Sequence, residues 1–373
     1  MSDDDLPEAD RADGAPHPRE TRTLFGQDAA QADILEAVTG TRMHHAWLLT
    51  GPKGVGKATL AWGMARYLIA TPPETGEAGL FGDAPPPPTS LDIPSDHPVA
   101  HRITALSEPG LLLIRRAWDR DKKRLKAQIT VDDVRKLGSL LGLSATDGGR
   151  RVVIVDSVDD MKPSAANALL KVLEEPPKNA ALILISHAPA RLLPTIRSRC
   201  RTLRLPALSP EALSEALDQA GYPETDPGLT ALAAGSVGAA IRLLSQDGPQ
   251  LYANILALLA SCPSLDRART QKFAEHITQR GQEDRLAVAL TLLDLALSRM
   301  SRTGTGLTPE PHVSTDEPQI FTRLSPDARA ARKWAALQQE LSRRIGHGRA
   351  VNVDAQSLVL DAFLKINETA TRP

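Results

Sequence analysis

Apolar positions in this chain keep switching between two spacings. From Asp28 they fall at helical intervals (Ala29, Ile34, Leu35, Val38). The stretch 45-HAWLLTG-51 then reads as a short buried strand ending in a glycine, and 58-ATLAWGMARYLIA-70 returns to helical spacing through Leu60, Met64, Tyr67 and Leu68. The same exchange repeats further on. The apolar runs 111-LLLIRR-116, 151-RVVIVDSVDDM-161, 181-ALILIS-186 and 201-RTLRL-205 read as strands, and the unbroken apolar character of the middle two suits strands buried on both faces. Between them, 130-TVDDVRKLGSLLGL-143 reads as a helix with Thr130 as N-cap and Asp132 and Asp133 at its positive end. The segment 163-PSAANALLKVLEEPP-177 is a helix bounded by prolines. Strands alternating with helices predict a parallel α/β sheet.

After Ala207 the strand pattern stops. A small helical module is expected over 208–245. An all-helical unit is expected over 246–373, with helices near 252–260, 285–300, 328–344 and 354–366 and a polar loop over 301–318. The α/β domain is placed at 21–207, interrupted by the proline-rich 71–94, an extended surface insert. Residues 1–20 are rich in Asp, Glu, Pro and Ala and have little to bury, so they read as a disordered acidic tail.

Composition narrows the function classes. A formal net charge of −1 over 373 residues supplies no global basic field for nucleic acid. Two cysteines, Cys200 and Cys262, make no disulfide framework and suit a reducing compartment. No apolar run reaches the length of a membrane span, and the acidic N-terminus lacks the features of a signal peptide, so a cytoplasmic protein without membrane contact is expected. Aromatics are 3% of the chain and Leu and Ala are abundant, which favours helix-rich packing.

The candidate chemistry begins with 51-GPKGVGKAT-59. Gly51, Gly54, Val55 and Gly56 offer backbone N–H groups to phosphate oxygens between a strand and a helix, and Lys57 stands where it would reach the β and γ phosphates. A plain glycine turn would explain the glycines but not Lys57. The position after the lysine should carry a metal-holding hydroxyl. It is Ala58, and Thr59 lies one residue further round the helix. Asp156 ends an apolar strand, where a magnesium-holding carboxylate would sit. Asp159 and Asp160, beyond the strand end, read as solvated loop acids.

Taken in order, the glycine loop, VIVDS, 167-NALLKVLEEPP-177, LISHAPARLLPTIRSRC and 235-GSVG-238 resemble the delta-prime family of bacterial DNA polymerase III clamp-loader subunits, which are AAA+ proteins. The motifs cover roughly residues 24–245; the helical C-terminus is similar in architecture only. The resemblance implies a RecA-like AAA+ domain, a small helical lid and a C-terminal helical collar for oligomerisation. It also implies a place in a hetero-pentamer with the gamma/tau ATPase subunits and a delta subunit, which loads a sliding clamp onto primed DNA. In that family the arginine of Ser-Arg-Cys enters the ATP site of the neighbouring subunit, and Arg199 matches it. Without the surrounding motif Arg199 would read as one end of a surface salt bridge. Cys200 beside it reads as a packed residue rather than a reactive thiol.

The departures from the family's ATPases fall together. Ala58 lacks the hydroxyl, Ser157 replaces the water-activating carboxylate, and Gly238 stands where a sensor arginine is carried. The region of Ser186 and His187 is ambiguous. Loss of ligand, base and clamp removes most of the electrostatic stabilisation of phosphoryl transfer. The expectation is a degenerate site with weak ATP or ADP binding at most, no turnover of its own and no required cofactor. Relatives that hold zinc do so on four cysteines after the first helix. Here that stretch has none, and His97 and His101 lack further ligands, so no zinc is expected. The main rival is an active AAA+ ATPase of a clamp loader or of branch migration. A small-molecule kinase would leave Ser-Arg-Cys and the helical third unit unexplained.

Overall fold

The computed structural model describes residues 6–40, 43–71, 88–142, 150–223 and 226–371. Most of the proline-rich insert lies outside the described residues. In chain order the elements are α1 (Asp28–Thr39), β1 (Ala46–Thr50), α2 (Lys57–Ala70), α3 (Pro98–Thr104), β2 (Leu111–Arg115), β3 (Trp118–Asp119), β4 (Arg124–Leu125), α4 (Val131–Gly142), β5 (Arg151–Asp156), α5 (Pro163–Glu174), β6 (Ala180–Ser186), α6 (Pro194–Arg197), β7 (Arg201–Arg204), α7 (Pro210–Gln219), α8 (Pro227–Ala233) and α9 (Val237–Ser245). Six helices complete the chain: α10 (Gly248–Ser261), α11 (Arg267–Ile277), α12 (Glu283–Thr303), α13 (Glu317–Leu324), α14 (Ala328–Ala350) and α15 (Ala355–Thr371).

Five strands form the expected parallel sheet, in the order β2-β5-β6-β1-β7. Every residue of β1 and β6 is buried, which is why their sequences show no polar alternation. The period of two still sorts their side chains. Trp47, Leu49, Val152, Ile154, Ile183 and Ile185 pack under α1, α2 and α3. On the opposite face Leu48, Val153, Val155, Leu182 and Leu184 pack against Val134 and Leu137 of α4, Leu169 and Leu173 of α5 and Ile196 of α6. Buried strands between two helical layers make this a parallel α/β architecture, with helices following it along the chain.

The chain divides into two compact units. One comprises Met1–Pro223 with Gly235–Gly238, the other Glu224–Ala234 with Ala239–Pro373. In the second, α10 packs on α12, α12 on α14 and α14 on α15. Its core includes Tyr252, Phe321 and Trp334, with Phe273 and Phe363 edge to face at 5.8 Å.

Residues 6–20 depart from the disordered tail that composition suggests. His17 is fully buried, Glu8 pairs with Arg19 at 2.8 Å and Arg115 at 2.7 Å, and Asp10 pairs with Arg115. Glu8 and Asp10 both meet Arg115, far along the sequence, a pairing that composition cannot reveal.

Candidate functional site

The glycine loop leaves β1 and becomes the first turn of α2. Gly51 has φ +141°, and a Cβ there would run into the carbonyl oxygen of Leu205, so the loop can pass this close to the chain after β7 only as glycine. Gly54, at φ +80°, faces the Ser236–Gly238 segment equally closely. That segment clasps the loop from outside: Ser236 Oγ donates to Lys53 O at 2.8 Å, and the N–H groups of Val237 and Gly238 donate to Gly54 O at 2.9 and 3.4 Å. GSVG therefore has a structural role that its lack of a sensor arginine conceals. Gly56 is the N-cap of α2, with φ +98°. Val55 points into the core, and its carbonyl accepts from Gln27 Nε2 at 3.2 Å, so only its N–H remains available to a ligand.

Lys57 is buried, and its Nζ donates to Gly51 O at 2.7 Å and to Pro52 O. Burial lowers its pKa to about 8, against the pull of Asp156 and Asp159 and with some help from Lys53. Asp156 is pushed up to about 7 by burial first and by the charge of Asp10 next, with Lys57 and Lys53 opposing. Ala58 packs against the apolar cluster beneath α2, and Ser157 is buried. Thr59 is half-buried one position further round the helix. The loop's N–H groups at the start of α2 fit phosphate oxygens. The residues do not supply the metal-holding hydroxyl after the lysine or a carboxylate after Asp156, so they do not fit a hydrolytic magnesium nucleotide.

The reading of Asp159 as a solvated loop acid needs correcting. Its carboxylate accepts from Ser186 Oγ at 2.9 Å, His187 N at 2.5 Å and Ala188 N at 3.3 Å, and so fixes the chain leaving β6. Asp160 lies 3.0 Å from Arg116. His187 has a buried Nδ1 without a hydrogen-bond partner. Burial, then the nearby Lys57, lowers its pKa to about 4, with Asp159 opposing and Lys53 adding to the drop. This pinned strand end had no signal in the sequence beyond the acids themselves.

Arg199 follows α6, away from the glycine loop in sequence and on the opposite helical layer. Its guanidinium, about a third exposed, pairs with Glu174 at 2.8 Å, and Nη1 donates to Thr195 O at 3.1 Å. Glu174 comes from the NALLKVLEEPP motif, so the structure joins the two most specific sequence motifs through one ion pair. Cys200 packs against the second cluster, and burial pushes its thiol up to about 12, an unreactive state. His97 is spent on capping α3, where it accepts from Val99 N at 3.2 Å.

Residues 26–209 match the family described as DNA polymerase III, delta subunit. Among curated relatives, the chain is 36% identical to DNA polymerase III subunit delta' of Pseudomonas aeruginosa over 61% of this chain and 64% of that one. It is 34% identical to subunit delta' of Escherichia coli over 60% and 62% of the two chains. It is 30% identical to subunit gamma/tau of Mycobacterium bovis over 51% of this chain and 29% of the relative. Each match thus spans less than two thirds of the relative's own length. No single helix among the described residues is long and apolar enough to cross a membrane.

Proposed function

We propose, from the match of residues 26–209 to the family described as DNA polymerase III, delta subunit, that the chain works as a delta-prime-type subunit of a clamp loader. In this reading it binds the gamma/tau ATPase subunits and a delta subunit in a hetero-pentamer and helps place a sliding clamp on primed DNA. It hydrolyses no ATP itself. Ala58, Ser157 and Gly238 leave its own loop without metal ligand, base and clamp, and it needs neither cofactor nor zinc.

The observation that carries the reading is Arg199. Its guanidinium is held at a partly exposed position by Glu174 and Thr195 O, outside the core. A planar, always-charged bidentate donor suits the γ-phosphate of a neighbour's ATP. The ion pair with Glu174 is no obstacle, because surface pairs of this exposure contribute only about 0–1 kcal/mol.

The test is reconstitution of the complex with wild-type and Arg199→Ala chains. Fingers of this kind are worth ~10³–10⁵ in rate at one site. With several ATP sites present, the clamp- and DNA-stimulated ATPase should fall only in part, while clamp loading is strongly impaired. Arg199→Lys should not rescue, and the isolated variant should melt like the wild type. Unchanged stimulated ATPase and loading, with the variant shown to be incorporated, would return Arg199 to a surface residue.

A further inference from the structure

The acidic N-terminal segment is anchored at points that frame the glycine loop. At one end, Glu8 and Asp10 pair with Arg115, the last residue of β2. Arg115 lies directly beside Asp156 in the sheet register, so these acids are held at the strand end where a nucleotide's metal carboxylate would stand. The Asp10 side chain is fully buried there, and its Oδ2 has no hydrogen-bond partner. Next along the segment, the Cβ of Ala12 lies 3.9 Å from where a Cβ on Gly238 would be, and Gly238 is bonded to the loop through Gly54 O. Gly14 O then accepts from the Tyr222 hydroxyl at 2.9 Å. Finally His17, within 3.4 Å of both Glu8 and Asp10, packs edge-on against Trp62 of α2 at 6.0 Å. All of these residues belong to the first compact unit.

Nucleotide phosphates would lie on the loop's N–H groups between Asp156 and the start of α2, with the sugar and base extending past residues packed on the loop's outer side. The segment reaches both places: Asp10 on the Asp156 side and Ala12 on the Gly238 side. We propose that residues 8–14 are a built-in occupant of the nucleotide groove, a strap whose carboxylates sit where phosphate charge would otherwise arrive. An incoming nucleotide would meet the strap's backbone in the sugar and base region. Its phosphates would approach Asp10, whose charge also acts on Asp156 and is offset in part by Arg115, away from bulk solvent, where such repulsion is poorly screened. The strap explains why a loop that keeps its phosphate-binding glycines need not carry nucleotide.

This inference rests on reading the glycine loop as a nucleotide groove, and it is tested independently of Arg199. The separation at Ala12 and Gly238 lies within the Cβ–Cβ range of a disulfide. In full-length protein, Ala12→Cys with Gly238→Cys should therefore cross-link under mild oxidant, as peptide mapping reads. Binding is followed with mant-ADP and magnesium by fluorescence titration. The wild type should bind weakly. Glu8→Ala with Asp10→Ala, confirmed folded by circular dichroism, should bind about tenfold more tightly or better. Adding the cross-link to that released variant should abolish the gain, and reduction should restore it. Failure of the cysteines to cross-link would overturn the placement. A released variant that binds no better than wild type, or a gain that survives the oxidised lock, would overturn the occlusion. Either result would leave the Arg199 reconstitution standing on its own outcome.

Discussion

At the scale of single residues, the sequence shows where charges lie along the chain but not which charges meet. Gly51, Gly54, Lys57 and Asp156 stand out as candidates because each stands at a fixed offset from a strand or helix end, and Arg199 only through the Ser-Arg-Cys motif around it. Asp159 is not legible in this way, because an acid past a strand end looks the same in sequence whether water or three donors solvate it. His187 was ambiguous for the same reason. It is partly exposed, with Nδ1 buried among Lys57, Lys53 and Asp159, and its pKa is lowered from 6.5 to about 4. The folded chain therefore binds this proton less readily than the unfolded chain. The neutral imidazole contributes no penalty above pH 6.5, and stability is lost as pH falls from 6.5 through 4. His187→Gln should flatten that acid limb relative to wild type, by on the order of 2 kcal/mol after allowing for the partial exposure. Urea unfolding at pH 7.5 and pH 4.5 of both proteins measures it; parallel pH dependences would show that His187 does not titrate against the fold.

At the scale of elements, strands were readable and short polar helices were not. The buried strands announce themselves as continuous apolar runs because both faces are covered. The helix α11, RARTQKFAEHI, buries only a narrow stripe with Phe273, Ala274 and Ile277, so its charged residues dominate any window. The helix α13 was hidden beside the polar loop over 301–318. It is tied in by a side-chain network rather than by apolar periodicity. Glu317, 1% exposed, accepts from Tyr252 Oη of α10 at 2.6 Å and from Arg299 Nε and Nη2 of α12 at 2.8 and 3.0 Å. It also accepts from Val313 N at 2.8 Å, while Arg299 holds Pro309 O and Pro311 O. One carboxylate thus joins three helices and orders the loop before α13. Glu317→Ala would leave the Arg299 guanidinium buried and unpaired, a loss of about 3–5 kcal/mol. Glu317→Gln should cost less, since an amide oxygen still accepts from Tyr252 and Arg299. Denaturant midpoints for the two variants decide; equal and small losses would mean that water replaces the network.

At the scale of the whole molecule, the order of α/β part and helical part follows from where strand periodicity ends, but the division between them does not. The sequence suggests one helical module over 208–245. In the structure α7 belongs to the first compact unit and α8 to the second, while Gly235–Gly238 returns to the first to clasp the glycine loop. Helical periodicity identifies α7, α8 and α9 as helices without saying which core each one serves. The difference matters for dissecting the chain. Leu229 and Leu232 of α8 are buried, and α8 packs on α10. A fragment ending at residue 245 therefore keeps α8 but deletes its partner. We expect deletion of 246–373 to leave the melting of the parallel sheet intact, because both sheet clusters are complete within residues 30–205. The same fragment should bind a hydrophobic dye and be cut by protease around α8. It should also fail to co-elute with the ATPase subunits if the helical unit is the oligomerisation collar. A fragment that resists cleavage near α8 would show that this helix does not depend on α10. Co-elution of the cleanly folded fragment with the full complex would move the assembly contact out of the C-terminal helices and onto the α/β unit.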